Sequence, residues 1–396
     1  METEMNKKEW NQVVDAWLEE QTAHAGEERP VDWPPEIHGL RGGLDNKVVT
    51  PDQITRYALD ICDLNPLWID PDYAQKTRWG GLIGPPTFEN CIGAPFDYWE
   101  IFKLPGTLTI MDAGTTREYF APIRPLDEFT GVDIYVGVTE ESESGKPYRR
   151  FIQQIQRTYK NQKHERVAVV NRRMAVIVEG PGNKYAYRKE AFKGIKRPRY
   201  SQEELDEIYG HYDDQLEDRT RRGAEIRYWE DVTEGDEIPL LIAGPLDSPE
   251  SLFIQKMGCF TRSFALKWAA IKQDLARAPV DPQTGAYRFF IDEYYKDMVA
   301  QETGLPYAIG FPLQNEAICA HAITDWMGDD GFVLKLDLKH VGTNFFGDTT
   351  HVKCKVSGKY IDGLEHLVDL DVRSECQDGR PLVKGSATVR LLSRGV

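Results

Sequence analysis

VVTPDQITRYALDICDLNPLWIDPDYA, residues 48–74, is the stretch that decides the fold of this 396-residue chain. Thr50 and Gln53 form a capping box around Pro51, which occupies the first turn of a helix. Apolar residues then recur at helical spacing from Ile54 onward. The stretch therefore predicts a helix that ends at a turn built on the sequence DLNPLW.

The same pattern begins again in the second half of the chain. At residues 244–270, GPLDSPESLFIQKMGCFTRSFALKWAA, Ser248 and Pro249 repeat the helix start. Residues 68–86 correspond in the same way to residues 290–312, each with an acidic residue, a short helix and a Gly-rich turn. Internal repetition of this kind predicts two copies of one structural unit.

Each copy continues into a strand-rich region. Alternating apolar residues, typical of half-buried strands, occur at Val132, Ile134 and Val136, and again at Val352, Cys354 and Val356. One helix followed by antiparallel strands, twice, predicts an α+β protein whose sheets each wrap a central helix and join edge to edge. We divide the chain into an N-terminal domain (1–180), a connector (181–235) and a C-terminal domain (236–396).

Composition restricts the function. Hydrophobic residues make up 41% and charged residues 28%, as in a globular protein, and the net charge of -16 disfavours binding to nucleic acid or anionic membrane. No apolar run approaches the ~18 residues of a membrane span. The six cysteines lack metal-site spacing, which favours reduced thiols in a cytoplasmic protein. No sequence pattern indicates a metal or a redox cofactor.

The turn motif carries a family resemblance. The chain resembles the MaoC-like (R)-specific enoyl-CoA hydratases and acyl dehydratases, whose signature is Gly-Asp-x-Asn-Pro-Leu-His followed by an Asp and a Tyr-Ala. The matching residues are Asp63, Asn65, Pro66, Leu67, Asp70, Tyr73 and Ala74. Residues 65–88 are also similar to fatty-acid-synthase-type dehydratase amino-terminal domains. The resemblance implies a tandem (double) hot-dog fold and an Asp/His pair that acts on an acyl thioester.

Several positions depart from that signature. Trp68 stands where the family has its catalytic His, and Cys62 stands where it has Gly. The second unit has Thr261 in place of the Asp, and Ile309 where a His-Gly would fall. Neither unit alone therefore carries the whole Asp/His pair.

The resemblance still implies catalytic roles for three residues. Asp63 would orient or deprotonate water, Asn65 would hold that water or the substrate carbonyl, and Gly310 would present its N–H to the thioester oxygen. The alternatives are a turn cap for Asp63, a structural Asn65 and a close-packed Gly310. His321 and His340 are candidates to replace the missing His.

Substrate-binding roles follow from the same resemblance. Trp68 and Tyr73 would line an acyl pocket, although Trp68 also suits the core. Arg117 and Arg124 would meet the phosphates of coenzyme A, which enters only as part of the substrate.

Three functions remain open at this stage. The first is a hydro-lyase, an enoyl-CoA hydratase or 3-hydroxyacyl-CoA dehydratase. The second is a non-catalytic acyl-CoA-binding subunit that works with a catalytic partner. The third is a thioesterase, because fold does not fix function. The family implies a homodimer or a complex with a partner hot-dog subunit.

Overall fold

A computed structural model describes residues 5–31, 43–95, 103–251, 264–272, 275 and 278–395. The helices are α1 (Lys7–Ala23), α2 (Pro51–Asp60), α3 (Pro66–Ile69), α4 (Pro71–Lys76), α5 (Glu89–Gly93), α6 (Ala186–Ala191), α7 (Gln202–Leu216), α8 (Ser248–Ser251), α9 (Ala265–Ile271), α10 (Asp297–Glu302) and α11 (Pro312–Met327). Two 3-10 turns occupy Trp229–Asp231 and Phe290–Tyr294.

The strands are β1 (Glu28–Pro30), β2 (Thr107–Tyr119), β3 (Thr130–Glu140), β4 (Tyr148–Lys160), β5 (Arg166–Glu179), β6 (Leu241–Ala243), β7 (Phe332–His340), β8 (Thr350–Asp362), β9 (Glu365–Cys376) and β10 (Pro381–Leu391). All ten form one antiparallel sheet in the order β1-β3-β4-β5-β2-β7-β10-β9-β8-β6. The predicted α+β class and double hot-dog arrangement are therefore confirmed.

The seam between the two units lies in the middle of this sheet. Strand β2 pairs with β7, and Thr116 lies opposite Asp337. The first five strands in chain order lie on one side of the seam and the last five lie on the other. The predicted edge-to-edge joining is thus present, while the exact domain bounds stay a prediction.

Helices cover the sheet on both faces. All residues of α11 after Pro312 are buried, as expected for a central helix wrapped by strands. On the same face, toward the other end of β4 and β5, α1 packs Trp10, Val14 and Trp17 against the first unit, and the rings of Trp17 and Phe151 meet edge to face at 5.3 Å. On the opposite face, Tyr187 of α6 packs against Ile152 and Ile177. The buried α11 brings second-unit side chains close to the DLNPLW turn.

Two further findings concern the chain as a whole. No helix among the described ranges is long and apolar enough to cross a membrane. The predicted helix around residue 252 and the motif position Thr261 lie outside the described residues.

A glycine at the seam allows the two units to approach. Gly114 follows an irregularity in β2, has φ +125° and would place a Cβ 2.1 Å from the carbonyl oxygen of Leu338. Gly137 in β3 has a similar φ of +139°, but its Cβ would meet only Ala25, at 3.6 Å. A comparison of Gly114 with Gly137 therefore separates the cost of the unfavourable φ, which both positions share, from the cost of the clash with β7, which arises at Gly114.

We therefore expect Gly114→Ala to lower the free energy of unfolding by more than Gly137→Ala does. The unfavourable φ alone costs on the order of 1–3 kcal/mol at either position, and the clash with β7 adds to it at Gly114. Urea denaturation of the two variants measures the difference. Equal losses of unfolding free energy in the two variants would show that β2 and β7 accommodate the added methyl group at Gly114 without a further energetic cost.

Candidate active site

The DLNPLW turn places a carboxylate in the protein interior. Asp63 is 1% exposed, and its Oδ1 accepts the backbone N–H of Asn65 at 3.1 Å. The side-chain oxygen of Asn65 in turn accepts the N–H of Leu67 at 2.9 Å and caps α3, which begins at Pro66. The motif thus fixes Asp63 through a sequence of local hydrogen bonds.

Trp68 directly contacts that carboxylate. Its indole Nε1 donates a hydrogen bond to Asp63 Oδ2 at 2.9 Å, and its side chain is buried. An indole N–H can donate but cannot accept a proton. Trp68 therefore stabilises the Asp63 carboxylate but cannot replace the family's histidine as a base.

The second unit supplies an imidazole at the same place. His321, on α11, has its Nε2 4.0 Å from Asp63 Oδ1 and 3.3 Å from Asp325 Oδ2 one helical turn further on. Thr324 Oγ1 lies 3.4 Å from the other Asp63 oxygen. The structure thus brings together a carboxylate and a histidine that the sequence separates by more than half of the chain.

Burial and charge shift both pKa values upward. Burial opposes the charged form of His321, but the carboxylates of Asp325 and Asp63 outweigh it and raise its pKa to about 9. Burial also raises the pKa of Asp63, and the imidazole of His321 offsets only part of this effect. The carboxyl group of Asp63 is therefore a stronger base than an ordinary aspartate, and the imidazole of His321 holds its proton more tightly than an ordinary histidine.

The same three side chains could also hold a cation. Asp63, His321 and Asp325 each offer one ligand atom, and these atoms lie within 4.8 Å of one another. Both oxygens of Asp63, however, already accept N–H groups, from Asn65 and Trp68. Carboxylates that bind metals accept such hydrogen bonds as well, so these residues fit a cation as well as a carboxylate that exchanges protons.

Two motif residues reach a different carboxylate. Asn65 Nδ2 donates to Asp329 Oδ1 at 3.1 Å, and the Tyr73 hydroxyl donates to Asp329 Oδ2. Trp79 Nε1 donates to the carbonyl oxygen of Asp329 at 2.7 Å. Because both the oxygen and the nitrogen of its side-chain amide have protein partners, Asn65 holds the turn against the second unit. This arrangement fits the structural alternative for Asn65 rather than a role in binding water.

Gly310 does not present the amide that an oxyanion needs. Its N–H donates to the carbonyl oxygen of Asn344 at 2.9 Å, and a Cβ there would lie 2.3 Å from the Asn344 side chain. The geometry corrects the predicted oxyanion role to close packing.

Arg117 is similarly enclosed. Its side chain has no exposed surface and forms ion pairs with Glu89 at 2.6 Å and with Glu316 at 2.7 Å. His340 Nε2 lies 2.9 Å from the other oxygen of Glu316. These groups form the buried core of the seam, so a phosphate cannot reach Arg117, and the partner of His340 is Glu316 rather than Asp63.

An apolar pocket lies beside the pair. Its volume is about 30 Å³ and its walls are Trp68, residues 83–86, Tyr119, residues 121–123, Met327 and residues 331–333. Tyr73 is not part of these walls. Trp68 is the described residue that both lines this pocket and bonds Asp63. Its indole thus lies between the pocket and the Asp63 carboxylate.

Similarity to known proteins agrees with this architecture. Three solved structures align with nearly the whole chain: a MaoC-like dehydratase (TM-score 0.59, 16% identity, 94% of this chain and 99% of that one), a putative MaoC domain protein dehydratase from Chloroflexus aurantiacus (0.54, 12%, 94% and 96%) and a Mycobacterium tuberculosis protein with a double hotdog fold (0.53, 10%, 93% and 96%). None of the curated proteins matches the sequence. At these identities the alignments define the fold, and the chain is a double hot-dog protein.

The sequence match is more specific and falls on the first unit. Residues 38–170 match the FAS1-like dehydratase domain region. That range contains Asp63, Trp68 and the pocket walls contributed by residues 83–86 and 121–123. The predicted resemblance to MaoC-like and fatty-acid-synthase-type dehydratases is thereby confirmed.

Proposed function

We propose that this protein is a hydro-lyase that adds water to an α,β-unsaturated acyl thioester, or removes it, at Asp63 and His321. The observation that carries the proposal is the 4.0 Å approach of the His321 imidazole, from the second unit, to the buried Asp63 carboxylate of the first. This distance exceeds a direct hydrogen bond and suits two groups that share one water molecule.

The roles follow from the two pKa shifts. The Asp63 carboxylate, made more basic by burial, removes a proton from a water molecule while the oxygen of that water attacks the β-carbon of the thioester. The His321 imidazolium, held charged by Asp325, gives its proton to the α-carbon. Transfer of the water proton from Asp63 to His321 restores the starting state, and dehydration follows the reverse course.

The apolar pocket that Trp68 closes is the candidate acyl site, but at about 30 Å³ it has room for roughly one water molecule, so the acyl group enters only when Trp68 moves. For the reacting carbons to reach Asp63, the Trp68 indole has to turn aside and give up its 2.9 Å hydrogen bond to the carboxylate. The apolar walls provided by Met327, Phe332 and Val333 suit a hydrocarbon tail.

The position of Trp68 also favours a second candidate. A protein whose acyl pocket is separated from its Asp/His pair can bind a thioester without turning it over. In that case the chain holds the acyl group for a catalytic partner subunit. Cytoplasmic location and assembly as a homodimer remain predictions under either candidate.

The deciding experiment is enoyl-CoA hydration by the purified chain, with short, long and ring-bearing acyl groups. We expect turnover in the wild type and a loss of about 10²-fold in Asp63→Asn, because general base catalysis is removed. Asp72→Asn changes an exposed carboxylate in the same motif and should retain activity. Tight acyl-CoA binding without turnover would reject the lyase in favour of the binding subunit.

A further inference from the structure

One carboxylate of the second unit receives polar side chains from the family signature. Asp329 follows Gly328 at the C-terminal end of α11 and is 5% exposed. Its Oδ1 accepts the side-chain N–H of Asn65 at 3.1 Å, and its Oδ2 accepts the hydroxyl of Tyr73. Its backbone oxygen accepts the indole N–H of Trp79 at 2.7 Å. Three groups of the first unit therefore meet at a single residue of the second.

The residues on both sides of this contact are themselves anchored. The Asp329 N–H donates to the carbonyl oxygen of Gly223 in the connector at 2.9 Å. The Trp79 carbonyl oxygen accepts a hydrogen bond from Nη1 of Arg124 at 2.8 Å. Asp329 and the first-unit segment that it binds therefore have defined positions in the fold.

The hydroxyl of Tyr73 is the donor in its contact with Asp329. Burial, together with the adjacent Asp329 carboxylate, raises the pKa of Tyr73, so the phenol keeps its proton at neutral pH. Hydrogen bonds to a carboxylate are roughly twice as strong as those between neutral groups. Asp329 therefore holds Asn65 and Tyr73 more firmly than a neutral side chain would.

This contact links the two halves of the reactive pair. Asp63 lies two residues before Asn65 and accepts its backbone N–H at 3.1 Å. His321 lies eight residues before Asp329, a separation of roughly two helical turns. The hydrogen bond between Asn65 and Asp329 therefore joins the turn that carries Asp63 to the end of the helix that carries His321.

The contacts of Asp63 with α11 itself are longer. His321 Nε2 and Asp63 Oδ1 are 4.0 Å apart, which is too far for a direct hydrogen bond to hold them. Thr324 Oγ1 lies 3.4 Å from Asp63 Oδ2, but its one hydroxyl proton has a nearer acceptor in the carbonyl oxygen of His321, at 2.9 Å. The separation of Asp63 and His321 therefore depends on groups outside the pair.

We propose that Asp329 is a positioning residue that sets the distance between Asp63 and His321. It acts through Asn65 and Tyr73, and it is not a wall of the apolar pocket. Its loss should therefore change the geometry of proton transfer and leave acyl binding unchanged. Displacement of a reacting group by about 1 Å can lower a rate by roughly 10²-fold. The effect on rate rests on the proposed function, whereas the effect on distance does not.

NMR titration of the His321 imidazole tests the distance without any substrate. Asp325 and Asp63 together raise the pKa of His321 to about 9 despite its burial. When Asp329→Asn releases the turn and Asp63 moves away, this pKa should fall by about 1, the lower end of the effect of a nearby opposite charge. The spectrum of His321→Asn assigns the resonance.

Asp330→Asn is the matched control, because it removes one negative charge at the next residue. The hydrogen bond from Arg78 to Asp330 uses the backbone oxygen, which the substitution keeps. The pKa of His321 should therefore equal that of the wild type. Tyr73→Phe removes one of the two side-chain hydrogen bonds while Asp329 keeps its charge, and it should lower the pKa of His321 by a smaller amount.

Enoyl-CoA hydration shows whether the distance governs the rate. We expect Asp329→Asn to lower kcat by about 10²-fold and to change KM by less than about twofold. Asp330→Asn should keep both values.

Three results would overturn the positioning role. These are an unchanged pKa of His321 in both Asp329→Asn and Tyr73→Phe, an equal fall in Asp330→Asn, and a rise in KM that matches the fall in kcat. A lowered pKa in Asp329→Asn without turnover by the wild type would keep the positioning role and reject the lyase. Turnover by the wild type with the same His321 pKa in every variant would support the lyase and reject the role of Asp329.

Discussion

Replacing His321 with asparagine is expected to lower enoyl thioester hydration by roughly 10²–10⁴-fold, the usual contribution of a general acid. Asparagine keeps a polar group at the site but has no transferable proton. Asp325, whose Oδ2 lies 3.3 Å from His321 Nε2, would lose the cation that it faces. Hydration rates under saturating substrate measure the change.

The pH dependence separates this role from a structural one. Because the pKa of His321 is raised to about 9, its imidazolium persists through neutral pH, and wild-type turnover should fall as pH rises through about 9. The His321→Asn variant should lack this alkaline limb in its residual activity. His351→Asn, on β8, is the control: burial lowers the pKa of His351, and its loss should leave the profile unchanged. An alkaline limb that persists without His321 would assign the acid to another group.

The largest expected loss of stability follows Arg117→Met. Arg117 joins Glu89 on α5 of the first unit to Glu316 on α11 of the second, and all three side chains are essentially inaccessible to solvent. Removing the guanidinium leaves two buried carboxylates without their cation. Breaking a buried pair in this way costs about 3–5 kcal/mol, so the free energy of unfolding should fall by that order.

Arg149→Met provides the matched comparison in chemical denaturation. Arg149 also bridges two carboxylates, Asp15 and Glu140, but these are partly exposed, and such surface pairs contribute about 0–1 kcal/mol. Similar losses for Arg117→Met and Arg149→Met would show that the seam tolerates unpaired charge.

The stability of the folded protein should also depend on acid at this seam, because Arg117 and His340 together lower the pKa of Glu316 to about 2 despite its burial. The stability contributed by this carboxylate is present above its unfolded pKa of about 4.3 and is lost as pH falls toward 2.

Local sequence patterns predicted those parts of the protein that local interactions determine. The capping box at Thr50, the turn at Asn65 and the alternation of the strands each depend on neighbouring residues, and they led correctly to two joined hot-dog units. The buried Asp63 was identified as a site candidate in the same way, and its catalytic role stays a prediction.

Contacts between the units could not be predicted from such patterns. His321 and Asp325 are visibly one helical turn apart in the sequence, but only the joined sheet places α11 against Asp63. Asn65 meets Asp329 across 264 positions, and Arg117 meets Glu316 across the seam. The sequence motif therefore predicts where Asn65 lies in the turn, but its partner, and hence its role, depends on the other unit.

Asp63 and His321 belong to different units, and this division bears on how the site responds to dilution of the protein. Where single-unit proteins associate to complete a site, its occupancy depends on protein concentration. Here the unit that carries Asp63 and the unit that carries His321 belong to one covalent chain. Their encounter is intramolecular, with an effective concentration set by the chain itself. The site therefore stays assembled at any abundance of the protein, and each unit can diverge in sequence while it supplies one half of the pair.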